Sequence, residues 1–330
     1  MTKKIKRWLI ILILLFVGIK TIQWFESRGE GFRLYKIQSN PSYDARWDVS
    51  YSEEELQHAQ KVLAQPFHYL AHGFQCYAFE SEDGNYVLKF FRHQRLRLPQ
   101  FVMALPECPF FSEWRKSRQL ALGRRRDYLF RSCRTSWQLA KKETAMLMVH
   151  LNLTKNLFPM VTIVDALGNS YDLDLDSYQF MLQRKAQLIK PTIRTLMREG
   201  DEEKAKQYLA TIFDLFLTCV RKGIVDKDGA LIRKDNLGFL DDHAMYIDGG
   251  KLAPRKAACT KEAFIKDLRR LRPLYKWLRE EFPLLAEYFS QIQTEAIEKM
   301  PMIVQQQYGN DSKRSTYLCD TRQGSCEQQR

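Results

Sequence analysis

The spacing of apolar residues changes from that of a helix to that of a strand early in the chain. The helical period begins in SEEELQHAQKVLAQ, where Ser52 and Glu55 have the spacing of a capping box. Two runs of β-favouring residues then flank the turn sequence EDGN at 82–85, which predicts a β-hairpin. The second run, YVLKFF, places Lys89 in mid-strand on the same face as Val87.

The pattern further along alternates between helical and strand periods. The basic stretch 93–126 is predicted to be an irregular insertion, and an amphipathic helix over about 127–151 carries Glu143. Strands follow in MVTIVDA, YDLDL and YQFMLQRKA. From Pro191 the pattern is mainly helical, with one strong helix that ends at Gly223. This order predicts an α+β protein with a β-rich region before a helical one.

A short hairpin is predicted within the helical region, over residues 237–247. Its turn falls at Asp241-Asp242, so pairing of its strands brings Asn236 and Asp248 to the same end. Carboxylate and amide oxygens are the ligands that magnesium prefers. The glycines after Asp248 let the backbone turn away and leave room for a metal and phosphates.

The two ends of the chain differ in character from the centre. Residues 1–25 combine a cationic start with an apolar run and are predicted to be a signal anchor or transmembrane helix, followed by a polar linker at 26–50. A cleaved signal peptide and a peripheral helix are the alternatives. Lysine and arginine flank the segment on both sides. The sequence therefore leaves open on which side of the membrane the soluble part of a single-pass protein would lie. The tail, 303–330, is predicted to be disordered, with Cys319 and Cys326 able to pair.

The composition is that of a globular protein with a strongly basic surface. Hydrophobic residues make up 45% and charged residues 28%, and the formal net charge is +13. A positive balance favours anionic partners, among them phosphates, acidic membranes and nucleic acid. The cysteines and histidines show no zinc spacing, and no nucleic-acid recognition motif accompanies the charge. A nucleic-acid-associated membrane protein is therefore the weaker interpretation.

Residues 68–300 resemble the protein-kinase-like superfamily. The resemblance rests on YVLKFF, the Glu143 region, FMLQRKA at 180–186, GIVDKD at 223–228, Asn236 and the IDGG sequence at 247–250. It implies a two-lobed fold, with an N-lobe at 51–186 that contains the insertion, a helical C-lobe at 187–302, and the use of ATP and magnesium. The site residues that it implies are Gly73, Lys89, Glu143 and Gln183 for the nucleotide, Asp228 or alternatively Asp226 as the catalytic base, and Asn236 and Asp248 as metal ligands.

Several departures from the kinase pattern bear on function. The phosphate-covering loop, LAHGFQCYAF, contains only Gly73, which also suits a pseudokinase that binds nucleotide without turnover. The segment after the IDGG sequence, KLAPRKAACT, is short for docking a protein substrate. The sequence therefore predicts a membrane-anchored atypical kinase of bacterial type. Its substrate would be a small molecule, a sugar or a lipid-linked group, with the insertion arginines able to bind an anionic one.

Overall fold

The structure is a computed structural model. It describes Val17 and residues 31–99, 102, 109–229, 231–232, 235–255 and 259–309. Apart from Val17, the predicted membrane anchor at 1–25 lies outside these residues, as does the cysteine pair of the tail. Of the helices that are described, none combines the length and the apolar character needed to cross a membrane. The chain divides into two compact units, Met1–Trp137 with Ala145–Lys185, and Gln138–Thr144 with Ala186–Arg330.

The first unit is built around a seven-stranded sheet. Its strands are β1 (Phe67–His72), β2 (Cys76–Ser81), β3 (Tyr86–Phe91), β4 (Met146–His150), β5 (Met160–Val164), β6 (Ser170–Asp174) and β7 (Phe180–Arg184). They lie in the order β4-β7-β3-β2-β1-β5-β6. Neighbours are antiparallel except β1 and β5, which are parallel. The α+β class is confirmed, and the strand expected at 180–186 lies directly beside the strand of Lys89.

The predicted hairpin turn and the predicted helix cap of this unit are both confirmed. The β2–β3 hairpin turns at 82–85, where Gly84 has a φ of +71°, a conformation that glycine adopts without steric cost. Helix α1 (Glu53–Leu63) begins with the full capping box between Ser52 and Glu55. The segment predicted as a polar linker was misjudged, because Phe32, Ile37 and Trp47 are buried in the hydrophobic clusters of this unit.

The helix expected at 127–151 is wrong at both ends. Helix α2 runs over Pro109–Leu139, so most of the stretch predicted to be irregular is helical. Arginine and lysine are good helix formers, and their density in 115–126 should have indicated this. Residues 146–150 form β4 instead, paired with β7, because strand pairing in a buried sheet overrides the helical propensity of methionine and leucine.

The second unit is mainly helical around one large hydrophobic cluster. Its helices are α3 (Ile189–Glu199), α4 (Glu202–Arg221), α5 (Lys261–Leu268), α6 (Arg272–Glu281) and α7 (Pro283–Gly309). Its short strands are β8 (Gln187–Leu188), β9 (Ile224–Asp226), β10 (Leu237–Leu240), β11 (His243–Tyr246) and β12 (Leu252–Pro254). Strands β11-β10-β8 form one sheet and β12-β9 another. Helix α7 continues to Gly309 and so enters the segment predicted as a disordered tail.

Gly238 in β10 is required by a close approach of the backbone. A Cβ added there would stand 2.5 Å from the carbonyl oxygen of Gln187 on the paired strand β8. We expect Gly238→Ala to lower the free energy of unfolding by about 1–3 kcal/mol, because the strands must separate to admit the methyl group. Urea denaturation measures this. In the control, Gly123→Ala in α2, the methyl group meets open space and should not destabilise, so equal losses in the two variants would contradict the explanation.

Candidate functional site

The β10–β11 hairpin of the second unit brings the two predicted metal ligands together, as the sequence indicated. The strands pair from Leu237 opposite Tyr246 to Leu240 opposite His243. The turn residues Asp241 and Asp242 have φ values of 47° and 62°, as a tight hairpin turn with the favoured twist requires. The backbone pairing extends beyond the strand ends to Asn236 and Ile247.

At that open end, the backbone of Ile247 donates a hydrogen bond to the carbonyl of Asn236 at 2.9 Å. Asn236 thus lies opposite the residue before Asp248. The carboxylate of Asp248 accepts a hydrogen bond through Oδ1 from the backbone N–H of Gly250 at 2.9 Å. This hydrogen bond, formed within the turn at 248–250, fixes the orientation of the carboxylate and leaves its Oδ2 for another partner.

The carboxylate of Asp228 is held by two side chains of the site. Its side chain is almost fully buried, with 5% exposed. The Lys251 ammonium donates to Oδ1 at 2.6 Å, and the side-chain amide of Asn236 donates to Oδ2. Because the Asn236 nitrogen faces Asp228, its Oδ1 is the amide atom left to accept a hydrogen bond or bind a cation. Asp228 and Asn236 therefore act as a pair, in which one orients the other.

Asp226, the other candidate base, is held in a different way. It ends β9, its side chain is 2% exposed, and the Arg270 guanidinium donates to its Oδ2 at 3.0 Å. Its Oδ1 accepts from the backbone N–H of Asp228 at 2.8 Å. Burial raises the pKa of Asp226 to about 6, although Arg270 and the backbone bond act against the shift. Both of its oxygens are thus engaged in fixing the loop that carries Asp228.

Two cations of the site were not singled out from the sequence. Lys251 directly precedes β12, which pairs antiparallel with β9, and its carbonyl accepts from the backbone of Lys227 at 3.1 Å. Arg270 comes from the turn after α5 and also donates to the carbonyl of Asp226 at 2.8 Å. A lysine directly after the diglycine at 249–250 was a usable sequence signal for Lys251. The second depends on tertiary packing, and no local pattern indicates it.

Glu143 lies in the turn between α2 and β4 and not on a helix, contrary to expectation. Its carboxylate pairs with the ammonium of Lys222 at 2.7 Å and is 9% exposed. Its carbonyl accepts from the backbone of Tyr246 at 2.8 Å. Within the second unit, Glu143 thus joins the end of α4 to the end of β11. Its expected role as the partner of the phosphate-binding lysine stays a prediction.

The predicted nucleotide residues of the first unit have clear positions. Lys89 lies in mid-strand on β3, and its ammonium donates to the Gln183 side-chain oxygen on β7 at 2.8 Å. Gln183 is buried, with 3% exposed, so its amide is directed to the lysine. Gly73 lies in the exposed β1–β2 turn, where its N–H donates to the Cys76 carbonyl at 2.9 Å.

Two solved structures are similar to this chain at low levels. One is the bifunctional kinase-methyltransferase WbdD, at 14% identity and a TM-score of 0.30, with 67% of this chain and 43% of that chain covered. The other is WaaP in complex with acyl carrier protein, at 12% identity and a TM-score of 0.31, with 76% and 92% covered. This chain therefore spans less than half of the WbdD structure. No protein-family model and no curated protein sequence matches this chain. Because such scores are low, the site is interpreted from its own side chains.

The donor set of the site suits magnesium bound together with a phosphate ligand. In the described parts of the chain, no group of three or more His, Cys, Asp or Glu side chains converges as a cage for a metal. Magnesium usually takes one or two protein carboxylates and completes its shell with phosphates and water. The oriented oxygens of Asn236 and Asp248, beside the buried Asp228, meet that requirement.

Proposed function

We propose that this chain is a phosphotransferase of atypical kinase type that uses ATP and magnesium. The observation that carries the proposal is the contact of the Asp228 carboxylate with Asn236 and Lys251, at the end of a hairpin that also delivers Asp248. Phosphoryl transfer depends mainly on positioning and on neutralising charge. This cluster supplies an oriented base, two oxygen ligands and a cation in one place.

Each residue of the cluster has a distinct role in the proposal. Asn236 and Asp248 would hold magnesium, whose charge offsets that of the nucleotide phosphates. Asp228 accepts the proton of the substrate hydroxyl, because Asn236 and Lys251 already hold its carboxylate in one orientation. Asp226 is a positioning residue that fixes the backbone of Asp228. Asp228 is therefore preferred to Asp226 as the base.

The remaining predictions form part of the same proposal. Lys89, held by Gln183, would bind nucleotide phosphates, and the turn at Gly73 would cover them. The substrate would be a small molecule, a sugar or a lipid-linked group, with the chain tethered to a membrane through residues 1–25. A pseudokinase that binds nucleotide without turnover is the second candidate. It is favoured by Gln75 in the β1–β2 turn and Cys76 at the start of β2, where a kinase loop would carry glycine.

Binding and turnover of ATP separate the two candidates. With the full chain in a neutral detergent, we expect ATP with magnesium to raise the melting temperature, and we expect radiolabelled phosphate to be released or transferred. Asp248→Ala should remove the magnesium-dependent part of the thermal shift, because it removes a metal ligand. Asp214→Ala, an exposed aspartate on α4, is the control. A thermal shift without any product supports the pseudokinase, and the absence of a shift in the wild type would refute both.

A further inference from the structure

The β1–β2 turn of the first unit is fixed by an arginine. The side chain of Arg92, at the end of β3, donates to the carbonyl of Gly73 at 2.7 Å. The backbone N–H of Arg92 donates to the carbonyl of Gln75 at 2.8 Å. The Arg92 guanidinium also lies 4.7 Å from the centre of the Tyr77 ring. The turn is therefore held in one shape by a cation that is itself 8% exposed.

Two further arginines stand against the residue at the tip of this turn. The guanidinium carbons of Arg95 and Arg125 lie 4.4 Å and 4.2 Å from the centre of the Phe74 ring. Phe74 is 54% exposed, so the two guanidiniums gather at a surface that solvent reaches. In the part of the chain that the structure describes, Arg92, Arg95 and Arg125 have no carboxylate partner. Within the described residues, three cations are thus assembled around one exposed turn without a neutralising carboxylate.

Among the residues that the structure describes, several buried polar atoms beside the turn have no hydrogen-bond partner. They are Nε of Arg92, Nε2 of His93 and Oε1 of Gln75, with Nε of Arg126 and Oε1 of Gln94 close by in sequence. His93 is 4% exposed. A buried donor without a partner costs about 1–3 kcal/mol, and native proteins contain few of them. The Nε–H groups of Arg92 and Arg126 are donors that an anion can satisfy, whereas the two glutamine oxygens are acceptors and do not bind one.

The electrostatics of the turn favour an anion. Burial lowers the pKa of Arg95, and the nearby charges of Arg92 and Arg125 lower it further. Burial, together with the charges of Arg97 and Arg126, lowers the pKa of His93 to about 3. This imidazole is therefore neutral at pH 7 and adds no positive charge to the turn. A bound anion would relieve the repulsion among the guanidiniums, whereas a cation or a neutral ligand would not.

We propose that Arg92, Arg95 and Arg125, around Phe74, form a binding site for a phosphomonoester group. Guanidinium groups pair with phosphate oxygens through two parallel hydrogen bonds, which makes phosphate a better match than a simple halide. The phosphomonoester can belong to a soluble metabolite or to a lipid head group. The three arginines have no role in the phosphotransferase proposal, so this site does not depend on phosphotransferase activity.

Calorimetric titration with inorganic phosphate, which carries the same dianionic oxygens as a phosphomonoester, tests the site. The full chain in a neutral detergent is titrated without magnesium or nucleotide, at a fixed ionic strength. We expect the wild type to bind, and we expect Arg95→Gln with Arg125→Gln to weaken binding about tenfold or more, since two charge-assisted contacts are lost. The control removes the same charge elsewhere, with Arg118→Gln and Arg279→Gln at exposed positions on α2 and α6, and should stay within about twofold.

The source of the phosphate is separated by two further titrations. Glycerol 3-phosphate stands for a soluble ligand, and phosphatidic acid in the same micelles, against phosphatidylcholine, stands for a lipid. Tighter binding of one than of the other assigns the source. The proposal is overturned if the wild type does not bind inorganic phosphate, or if the Arg95 and Arg125 variant binds it as well as the wild type.

Discussion

Asp228→Asn is expected to lower the rate of phosphate release from ATP by about 10²–10⁴-fold, the usual contribution of a general base. Asparagine cannot accept the proton of the attacking hydroxyl. The change also affects Asn236, because an amide at position 228 would present either its NH₂ group or its oxygen to the Asn236 nitrogen. In the first case Asn236 must rotate, which moves its free oxygen away from the metal.

The measurement is a phosphate-release assay with magnesium, with water as the acceptor while the natural substrate is unidentified. Binding of ATP is followed in parallel by thermal shift, so that a loss of turnover is separated from a loss of folding. Asp214→Asn, on the exposed side of α4, removes the same charge and should keep the wild-type rate. A rate for Asp228→Asn within a few-fold of the wild type would show that Asp228 is not the base.

Arg270→Met is expected to lower the free energy of unfolding by about 3 kcal/mol at pH 8. Methionine keeps an apolar stem against Phe216, whose ring lies 5.5 Å from the guanidinium, but it removes the ion pair with Asp226. The Asp226 carboxylate is then buried without a counter-charge, which is the costly way to break a buried pair. The variant also releases the carbonyl of Asp226, which accepts from Arg270 in the wild type.

The pH dependence of this effect has a definite sign. Since the pKa of Asp226 in the folded protein, about 6, lies above its ordinary value of 3.8, the folded state binds the proton more tightly than the unfolded state. The contribution of this group to stability therefore falls as the pH rises from about 4 to 6. Removing Arg270 raises the pKa of Asp226 further, so the loss continues to a higher pH. The deficit of the variant is accordingly smaller at pH 5 than at pH 8.

Urea denaturation of the full chain at the two pH values measures this deficit. The control is Arg269→Met, since Arg269 is exposed, precedes Arg270 and carries the same charge. It should change the unfolding free energy by less than about 0.5 kcal/mol. A deficit for Arg270→Met that is the same at pH 5 and pH 8 would mean that the charge of Asp226 is not its cause.

The features predicted correctly from the sequence are those that depend on neighbouring residues. The EDGN hairpin, the capping box at Ser52 and the hairpin that carries Asn236 and Asp248 to one end are set by turn and cap chemistry over fewer than a dozen residues. The α+β class followed from the alternation of periods. Where residue type determines the local backbone, the sequence was sufficient.

The features that were missed depend on distant partners. Residues 146–150 have helical propensity but form a strand, because β7, more than thirty residues further on, offers a partner. Glu143 was therefore placed on a helix that ends before it. The choice between Asp226 and Asp228 likewise depended on Arg270 and Lys251, which approach from separate elements. Patterns within a segment contain no information about such contacts.

The hydrogen bond between Lys89 and Gln183 joins two neighbouring strands of one sheet. Strands paired over five residues do not shift past each other without breaking their backbone ladder, so the two residues stay on neighbouring strands in one register for as long as the sheet is folded. A lysine positioned in this way does not wait for a regulatory element to swing into place. If the chain transfers phosphate, no separate activation step is expected to bring this ammonium beside Gln183.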